Sequence, residues 1–230
     1  MRPKILSAVI LSVVLTSLTS FSQQTEVTQF AVFGAYSYLS TPSLNLTQRG
    51  IDADFGFNVR SWLTLGGDFS YNTGHSSLLP NYLSSSAQAK LAPILPLLPP
   101  GFVLAVPYDS STYTYEAGPQ FNCRRLKKVT FFGRPALGAL HVNVSLKPGN
   151  PILEQIVAGL VGPSLGKSDT VVFYGFGGGI TWEATPHFGI RVAADFVHYD
   201  FFSDLLNGGR NSVRLTVGPK FGFGKNIIKN

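Results

Sequence analysis

The chain has little charge, a single cysteine and no long internal apolar run. Only 13% of its 230 residues are charged, about half of the quarter that is usual in a soluble domain. The single cysteine, Cys123, excludes an intramolecular disulfide. After the N-terminal segment, no apolar stretch is long enough to cross a bilayer as a helix. A membrane protein of this composition would therefore be a β-barrel.

The N-terminus has the three parts of a secretory signal peptide. Met1–Lys4 carries two positive charges, Ile5–Leu18 is almost wholly apolar, and Ser20–Ser22 offers small residues before a cut ahead of Gln23. We predict a cleaved signal peptide over residues 1–22 and one barrel domain over residues 23–230. The mature chain is then only weakly basic, which together with export argues against nucleic acid as a partner.

A two-residue alternation of apolar and polar side chains recurs eight times in the rest of the chain. In Gly50–Val59, Ile51 and Phe55 fall on one parity, and Asp52 and Asp54 fall on the other. Successive side chains of a β-strand point to opposite faces, so this pattern predicts a strand. The predicted strands are Val27–Tyr38, Gly50–Arg60, Trp62–Asn72, Thr112–Asn122, Val129–Ala139, Thr170–Glu183, His187–Tyr199 and Ser212–Gly224.

The connections between these strands alternate between short turns and long loops. The longest loops span residues 73–111 and 140–169, and the second contains a predicted short helix at Pro151–Gly162 that begins with proline. Transmembrane barrels show this asymmetry, with short periplasmic turns and long outer loops. The sequence therefore predicts an all-β, eight-stranded antiparallel up-and-down transmembrane β-barrel. The basic turn Cys123–Lys128 is expected to form an exposed periplasmic rim.

The loop at 73–111 is unusually apolar and rich in proline, which rules out a strand or a long helix in it. So apolar a loop is expected to fold over the barrel mouth, lie on the lipopolysaccharide surface or dock a partner. Local packing against the barrel rim is an equal alternative.

Volume and energy decide which parity faces the lumen. An eight-stranded barrel has an interior just wide enough for side chains to fill, and the Phe, Tyr, Leu, Ile and Val parity would overfill it. An Arg or Lys that faces mid-bilayer lipid costs about 2–4 kcal/mol. We therefore predict that the small and charged parity lines the lumen. The alternative is a soluble, lipocalin-like barrel with its aromatic residues inside, but the charged parity has too many glycines and too few charges for a water-exposed exterior.

The charged residues of the inward parity form a candidate lumen network. Its predicted members are Asp52, Asp54, Asp68, Glu116, Arg134, Arg191, Asp195, Arg214 and Lys220. Residues at equal distances from the turn of a β-hairpin lie opposite each other. A turn centred at Ser61 therefore pairs Asp54 with Asp68, and a turn centred at Arg125 pairs Glu116 with Arg134. Since unpaired buried charges are costly, we interpret the set as a satisfied network that fills a narrow barrel. A proton or ion path is the alternative.

No catalytic, cofactor or metal residue is predicted. The glycines of Gly175–Gly179 precede no helix pattern and are expected to make room for bulky neighbours in a strand. The four histidines lack metal-ligand spacing. His75-Ser76-Ser77 matches the H-x-S of lipid A deacylases, so a lipid-modifying surface enzyme is a third and less favoured hypothesis.

Three segments carry a resemblance to a known family. "AGPQFNCRRLKKVTFFGRPALGALH", "FGGGITWEATPHFGIRVAADFVHYDFF" and "NSVRLTVGPKFGFG" resemble the small outer-membrane β-barrel domains of the OmpA/OmpX type. The resemblance implies a monomer in the cell outer membrane that contacts outer-membrane lipids and lipopolysaccharide, is folded by the barrel-assembly machinery and is not an enzyme. It also leaves open an unknown ligand at the outer loops or a narrow porin-like channel.

Three prolines, Pro119, Pro135 and Pro219, depart from a closed hydrogen-bonded ladder. Because proline lacks a backbone donor, we expect bulges or strand ends at these positions.

Overall fold

Eight antiparallel strands form a closed barrel in the computed structural model, which describes residues 24–99, 101–102 and 104–228. Each strand pairs with the next one in sequence, and β8 pairs with β1 to close the ring. This confirms the predicted fold class. The strands are β1 (Thr28–Thr41), β2 (Leu46–Arg60), β3 (Leu63–Leu78), β4 (Val106–Leu126), β5 (Val129–Leu146), β6 (Gly166–Thr185), β7 (Phe188–Tyr199) and β8 (Arg210–Asn226). The predicted signal peptide, residues 1–22, lies outside the described residues.

Within the described ranges, short helices lie only in the longer connections. They are α1 (Ser85–Leu91), α2 (Pro151–Val161) and three single 3-10 turns at Pro42–Leu44, Pro80–Tyr82 and Leu95–Leu97. The predicted helix after residue 150 is confirmed as α2, which begins with proline. Asn150 caps it, because its Oδ1 accepts a hydrogen bond of 2.9 Å from the backbone N–H of Leu153. Among the described residues, no helix is long and apolar enough to cross a membrane.

The two ends of the barrel differ. The end that carries the connections at 61–62, 127–128 and 186–187 is called the turn end, and the opposite end is called the loop end. The two long loops at the loop end span residues 79–105 and 147–165, so the predicted bounds 73–111 and 140–169 were too wide. The strands continue past the predicted ends because their outward side chains become polar there, which weakens the apolar alternation in the sequence.

The barrel wall is apolar outside and polar inside over most of its height. Phe55, Phe121 and Phe176 are 49%, 51% and 66% exposed, whereas Asp195 and Arg214 are 0% and 3% exposed. A soluble barrel would reverse these values, since it would bury its aromatic residues and expose its charges. The lipocalin-like alternative is therefore excluded.

Aromatic side chains mark two levels on the outer face. Near the turn end, Trp62 stacks on Phe121 with 6.3 Å between the ring centroids. Toward the loop end, Tyr71 contacts Tyr113 at 4.8 Å. Nine residue steps separate Trp62 from Tyr71, and at about 3.3 Å each with a tilt of about 35–45° they span about 21–24 Å along the barrel axis. This height is close to the apolar band of about 25 Å on transmembrane barrels.

Beyond the second aromatic level the polarity of the wall reverses. On β3 the outward residues Thr73, His75 and Ser77 are exposed and polar. On the inner face at the same end, Val106 and Leu146 are buried among apolar neighbours. The loop end of the barrel therefore has a polar exterior and an apolar core, like a water-soluble barrel.

The apolar loop at the loop end folds onto this core. Leu83, Ala87 and Leu91 from the 79–105 loop are buried in the cluster that also holds the inward residues of β4 and β5. We call this cluster of loop and strand residues the apolar cap; its members are Leu44, Leu46, Leu83, Ala87, Leu91, Val106, Tyr108, Ala136, Leu140, Val142, Leu146, Leu153, Ile156, Val157, Phe173, Tyr199, Phe201, Phe202, Leu205 and Leu206. Of the arrangements left open by the sequence, the chain adopts packing over the barrel mouth.

The strand prolines lie within strands rather than at bulges or strand ends. Pro119 pairs with Leu65 on the β3 side, but the β4–β5 register has no described pair between Glu116 and Phe121. Pro135 lies in the same gap on β5. The strand pairing is therefore interrupted on the side of each proline where a backbone N–H would have donated a hydrogen bond.

Pro219 follows the same rule on β8. It pairs with Ile190 on β7, while the described β1–β8 pairs stop at Phe33 and resume at Tyr36. The expectation of bulges or strand ends at the three prolines was wrong, because a closed ladder can lose a few pairs on one side of a strand and keep its register.

Candidate functional site

All nine predicted network residues point into the lumen, and each is buried or nearly so. They are Asp52 and Asp54 on β2, Asp68 on β3, Glu116 on β4, Arg134 on β5, Arg191 and Asp195 on β7, and Arg214 and Lys220 on β8. The structure divides them into two groups: eight form a central group, and Lys220 belongs to a smaller group at the turn end.

Arg214 makes more side-chain hydrogen bonds than any other residue of the central group. Its guanidinium lies 2.7 Å from Asp68 Oδ1, 3.1 Å from Glu116 Oε2 and 2.9 Å from Asp195 Oδ2. These partners come from β3, β4 and β7, so one side chain from β8 links strands on opposite sides of the lumen. The planar, always protonated guanidinium suits such multidentate pairing with carboxylates.

Arg134 repeats the arrangement from β5. Its guanidinium nitrogens lie 3.0 Å from Asp195 Oδ2, 3.2 Å from Asp68 Oδ2 and 3.4 Å from Glu116 Oε1. A further contact of 3.4 Å reaches Asp54 Oδ2. Asp68, Glu116 and Asp195 are thus each shared by two arginines.

Arg191 is held differently. One nitrogen lies 3.4 Å from Asp54 Oδ2, and the guanidinium carbon lies 5.1 Å and 4.8 Å from the ring centroids of Phe33 and Phe132. Aromatic faces attract cations at such distances. The two phenylalanines are buried in the lumen, so the prediction that the bulky residues all face lipid was wrong for them. The signal was the consecutive pair Phe131-Phe132, of which one member must face inward.

The smaller group at the turn end contains two residues that the network prediction lacked. Lys220 Nζ donates to Glu183 Oε1 at 2.7 Å, and Arg124 lies 4.0 Å from the same oxygen. Arg124 Nε also donates to the backbone oxygen of Ser61 at 2.8 Å. Arg124 was expected on an exposed rim, but its side chain is only 8% exposed, so that expectation was wrong. Glu183 could have been found from its neighbour Trp182, whose outward position places Glu183 inside.

The hairpin registers agree with one predicted pairing and correct the other. Asp54 pairs with Asp68 on neighbouring strands, as a turn centred at Ser61 predicts. Glu116 pairs with Gly138 rather than with Arg134, because the β4–β5 hairpin turns at residues 127–128 instead of at residue 125. The long side chains of Glu116 and Arg134 nevertheless meet across the register difference.

Glycines create the space that the inward side chains occupy. A Cβ at Gly177 would lie 1.8 Å from Asp195 Oδ1, and a Cβ at Gly138 would lie 2.8 Å from two ring atoms of Phe173. The glycine run on β6 is therefore a packing feature of the lumen, as its position within a strand predicts.

Little space is left around the charges. A cavity of about 20 Å³ lies beside Asp68 and Arg134, and another of about 10 Å³ lies beside Arg191 and Glu183. Each can hold about one water molecule. A larger cavity, of about 190 Å³, opens at the turn end beside Lys127.

Toward the loop end the lumen is filled by two kinds of packing. On one side, Gln48 Nε2 donates to Ser110 Oγ at 3.2 Å, and Thr112 Oγ1 donates to Gln48 Oε1 at 2.9 Å. On the other side, Leu140 and Phe173 are 2% and 1% exposed. Leu140 and Phe173 belong to the apolar cap, which continues from them over the barrel mouth.

The residues considered for chemistry do not form a reactive arrangement. His75 and Ser77 lie on the exposed outer face of β3, whereas Ser76 Oγ donates to the backbone oxygen of Asn45 at 3.1 Å. In the described part of the chain, no three or more His, Cys, Asp or Glu side chains are placed to hold a metal ion.

The comparisons with known proteins bear on the fold. No family model and no curated protein sequence matches the chain. Among solved structures, the chain is similar to Neisserial surface protein A (NspA), with a TM-score of 0.51 and 11% identity over 84% of this chain and 96% of that one. OprG from Pseudomonas aeruginosa gives 0.45 and 9% identity over 88% and 99%. Ail of Yersinia pestis, in complex with the heparin analogue sucrose octasulfate, gives 0.43 and 18% over 84% and 96%. The likeness to NspA agrees with the closed barrel.

Proposed function

We propose that the chain is an integral outer-membrane barrel with a structural or surface-loop binding role, whose lumen is closed by ion pairs. The observation that carries this proposal is the reversal of polarity along the wall. The outer wall is apolar around the charged lumen. At the loop end the outer wall is polar and encloses the apolar cap. Such a molecule spans a membrane and presents its loops to water.

The orientation follows from the two ends. The predicted signal peptide implies export, and barrels of the outer membrane place short turns in the periplasm and long loops outside. The turn end then faces the periplasm, and the loop end lies among the lipopolysaccharide sugars. The membrane partners are outer-membrane lipids, and insertion would use the barrel-assembly machinery.

Closure of the lumen is supported by packing and by electrostatics. Arg134 and Arg214 hold three shared carboxylates across the lumen, and the cavities beside the network have room for about one water each. A hydrated ion needs a continuous wet path, which this arrangement does not offer.

A binding role would then fall to the loop end. α1 and α2 contribute buried residues to the apolar cap, and this packing holds both helices against the barrel. Leu95 and Ile152 remain 47% and 45% exposed on the outer side of these loops. A rigid surface that presents apolar side chains is suited to a partner at the cell surface.

The test is ion conductance. We expect purified mature protein in planar lipid bilayers to be electrically silent. We also expect it to require detergent in solution and to shift in gel mobility on heating, as a folded barrel does. The double variant Arg134→Ala/Arg214→Ala should open water-sized space and give measurable leakage, whereas Lys147→Ala at the exposed loop end should stay silent. Steady single-channel conductance of the wild type would instead establish a narrow channel.

A further inference from the structure

The central lumen group has more carboxylates than cations. Five carboxylates, those of Asp52, Asp54, Asp68, Glu116 and Asp195, face three guanidiniums, those of Arg134, Arg191 and Arg214. Arginine is protonated at every accessible pH. If all five carboxyl groups were ionised, the group would carry two uncompensated negative charges inside the barrel. Buried charge of this kind is neutralised by a proton or by a bound cation.

Asp52 is the carboxyl group of the central group whose negative charge has the fewest stabilising contacts. Both of its carboxylate oxygens are buried and lack a hydrogen-bond partner among the described residues, although Arg214 Nη1 lies 3.4 Å from Oδ2. Arg214 makes its closer contacts with Asp68, Glu116 and Asp195. Asp52 is therefore the carboxyl group that the arginines stabilise least.

Two neutral groups next to Asp52 share this condition. Asn72 Oδ1 and Ser37 Oγ are fully buried and also lack partners in the described part of the chain. Gly50 on β2 pairs with Ser37 on one side and with Asn72 on the other, and Asp52 is the next inward residue along the strand. Four atoms without a partner thus belong to the two cross-strand partners of Gly50 and to the next inward residue, and three of them, the carboxylate and amide oxygens, accept hydrogen bonds when Asp52 is ionised.

The N–H donors near Asp52 are already engaged, and the Ser37 hydroxyl is the one group without a partner here that can donate a hydrogen bond. Asn72 Nδ2 donates to Ser70 Oγ at 3.3 Å, and Arg214 Nη1 donates to the same hydroxyl at 3.2 Å. Ser70 is the cross-strand neighbour of Asp52. The charged groups that face Asp52 are Asp54 on its own strand, Asp68 on β3, Arg134 on β5 and Arg214 on β8. The position has acceptors in surplus and needs a ligand that supplies a hydrogen-bond donor.

We propose that Asp52 is a proton-binding site and stands as a neutral carboxylic acid whose O–H donates to a neighbouring orphan acceptor. A proton needs no volume, fits beside the guanidinium of Arg214 and reduces the excess charge. A metal cation would be repelled by Arg214 at this position. The inference rests on the proposed closure of the lumen, because bulk water at Asp52 would supply the missing partners.

The experiment is infrared spectroscopy of mature protein in lipid vesicles at neutral pH. We expect the carbonyl stretch of a protonated carboxyl group, with the small downshift in heavy water that such a group shows. Carbon-13 at the side-chain carboxyl of aspartate should shift the band, while the same label in glutamate should not. These measurements use the wild-type chain, so they do not depend on how a variant folds. A missing band, or a band that follows the glutamate label, overturns the proposal.

A variant then assigns the residue. Asp52→Asn should abolish the band and leave the urea midpoint nearly unchanged, because asparagine resembles the neutral acid in shape. Asp109→Asn at the exposed loop end should keep the band. A band that survives in Asp52→Asn places the proton elsewhere and overturns the assignment.

Two further outcomes separate the proposals from each other. A wild-type midpoint that depends on the choice of sodium, potassium or calcium at constant ionic strength, and a loss of that dependence in Asp52→Asn, would identify a cation in place of the proton. Channel conductance with the carboxyl band intact would refute the closed lumen, while the band itself would show that bulk water does not reach Asp52 and would support the proton site.

Discussion

Arg214 on β8 and Asp68 on β3 meet across the barrel lumen, with 2.7 Å between Nη1 and Oδ1. The two strands are not neighbours, since β1 and β2 lie between them on the short way around the ring. The pair therefore links parts of the wall that no backbone ladder joins. Removing Arg214 would leave the five buried carboxylates of the central group with only the guanidiniums of Arg134 and Arg191.

Arg214→Met should destabilise the barrel strongly. Breaking a buried pair costs about 3–5 kcal/mol, because the remaining carboxylates stay desolvated. Urea unfolding in lipid vesicles, followed by tryptophan fluorescence, measures the loss. Lys147→Met is the matched control: its partner Asp109 is also a carboxylate, but the pair is 63% and 54% exposed. We expect the control to change stability by less than about 1 kcal/mol. Equal losses in both variants would show that the lumen pairs add no cross-barrel stability.

Gly177→Ala should also destabilise, through shape rather than charge. The added Cβ would meet Asp195 Oδ1 at 1.8 Å, so the carboxylate would have to leave its position between Arg134 and Arg214. Overpacking of this kind costs about 1–3 kcal/mol. Gly118→Ala is the control, because a Cβ there meets no described atom within 4 Å. The same urea titration compares them, and an unaffected Gly177→Ala would mean that Asp195 can move freely.

The barrel could be predicted from the sequence because the membrane section obeys one simple rule. Side chains such as Phe55 and Asp54 alternate at a period of two, and the volume of the lumen decides their sides. The rule fails where the surroundings change. Between Tyr71 and the loop end, the outward residues of β3 are polar and face water. The apolar alternation is lost there, so strand residues such as Ser77 were predicted to lie in a loop. The ends of β3 to β6 were therefore misplaced, and the loop bounds with them.

The members of the central lumen group follow from strand parity, but their pairing does not, and Arg124 and Glu183 at the turn end were missed. Parity alone places Arg214 and Asp195 inside. Which carboxylate each arginine meets depends on strand tilt and on side-chain reach across the lumen, and neither leaves a periodic mark in the sequence. Phe132 was missed although one member of the pair Phe131-Phe132 must face inward, and the contact of Phe33 and Phe132 with Arg191 is visible only in the structure.

Phe176→Arg should locate the lipid belt. Phe176 is 66% exposed on β6, within the aromatic levels, and an arginine near the bilayer midplane costs about 2–4 kcal/mol. Ser168→Arg changes the same outer face of the same strand, eight residues toward the loop end, where the wall is polar. We expect normal folding into vesicles for Ser168→Arg and a marked loss for Phe176→Arg. The opposite order would place the membrane around the loop end.

Leu91→Ala should loosen the apolar cap without opening the barrel. Leu91 is 3% exposed at the end of α1, and a buried leucine truncated to alanine loses about 2–5 kcal/mol of local packing. Limited proteolysis should then cut the 79–105 loop faster, while the heat-dependent gel shift of the barrel is retained. Leu95→Ala, at a leucine that is 47% exposed, should leave cleavage unchanged. Loss of the gel shift in Leu91→Ala would mean that cap and barrel unfold together.

Low pH should weaken the contact between Asp204 in the β7–β8 loop and Lys167 on β6. A hydrogen bond from Lys167 on β6 holds the pKa of Asp204 below its ordinary value. A carboxyl group with a lowered pKa in the folded state stabilises that state above its unfolded pKa and loses the contribution as the pH falls through the folded value. Asp204 is well exposed, so the contribution is less than about 1 kcal/mol.

The rate of proteolysis within the β7–β8 loop, compared between wild type and Asp204→Asn, measures this contribution. At neutral pH we expect faster cleavage in Asp204→Asn, because asparagine keeps the shape of the side chain but not its charge. At a pH below the titration of Asp204 the two proteins should be cut at the same rate, since both then carry a neutral side chain. A difference that persists unchanged in acid would mean that Lys167 and Asp204 stabilise the loop through packing alone.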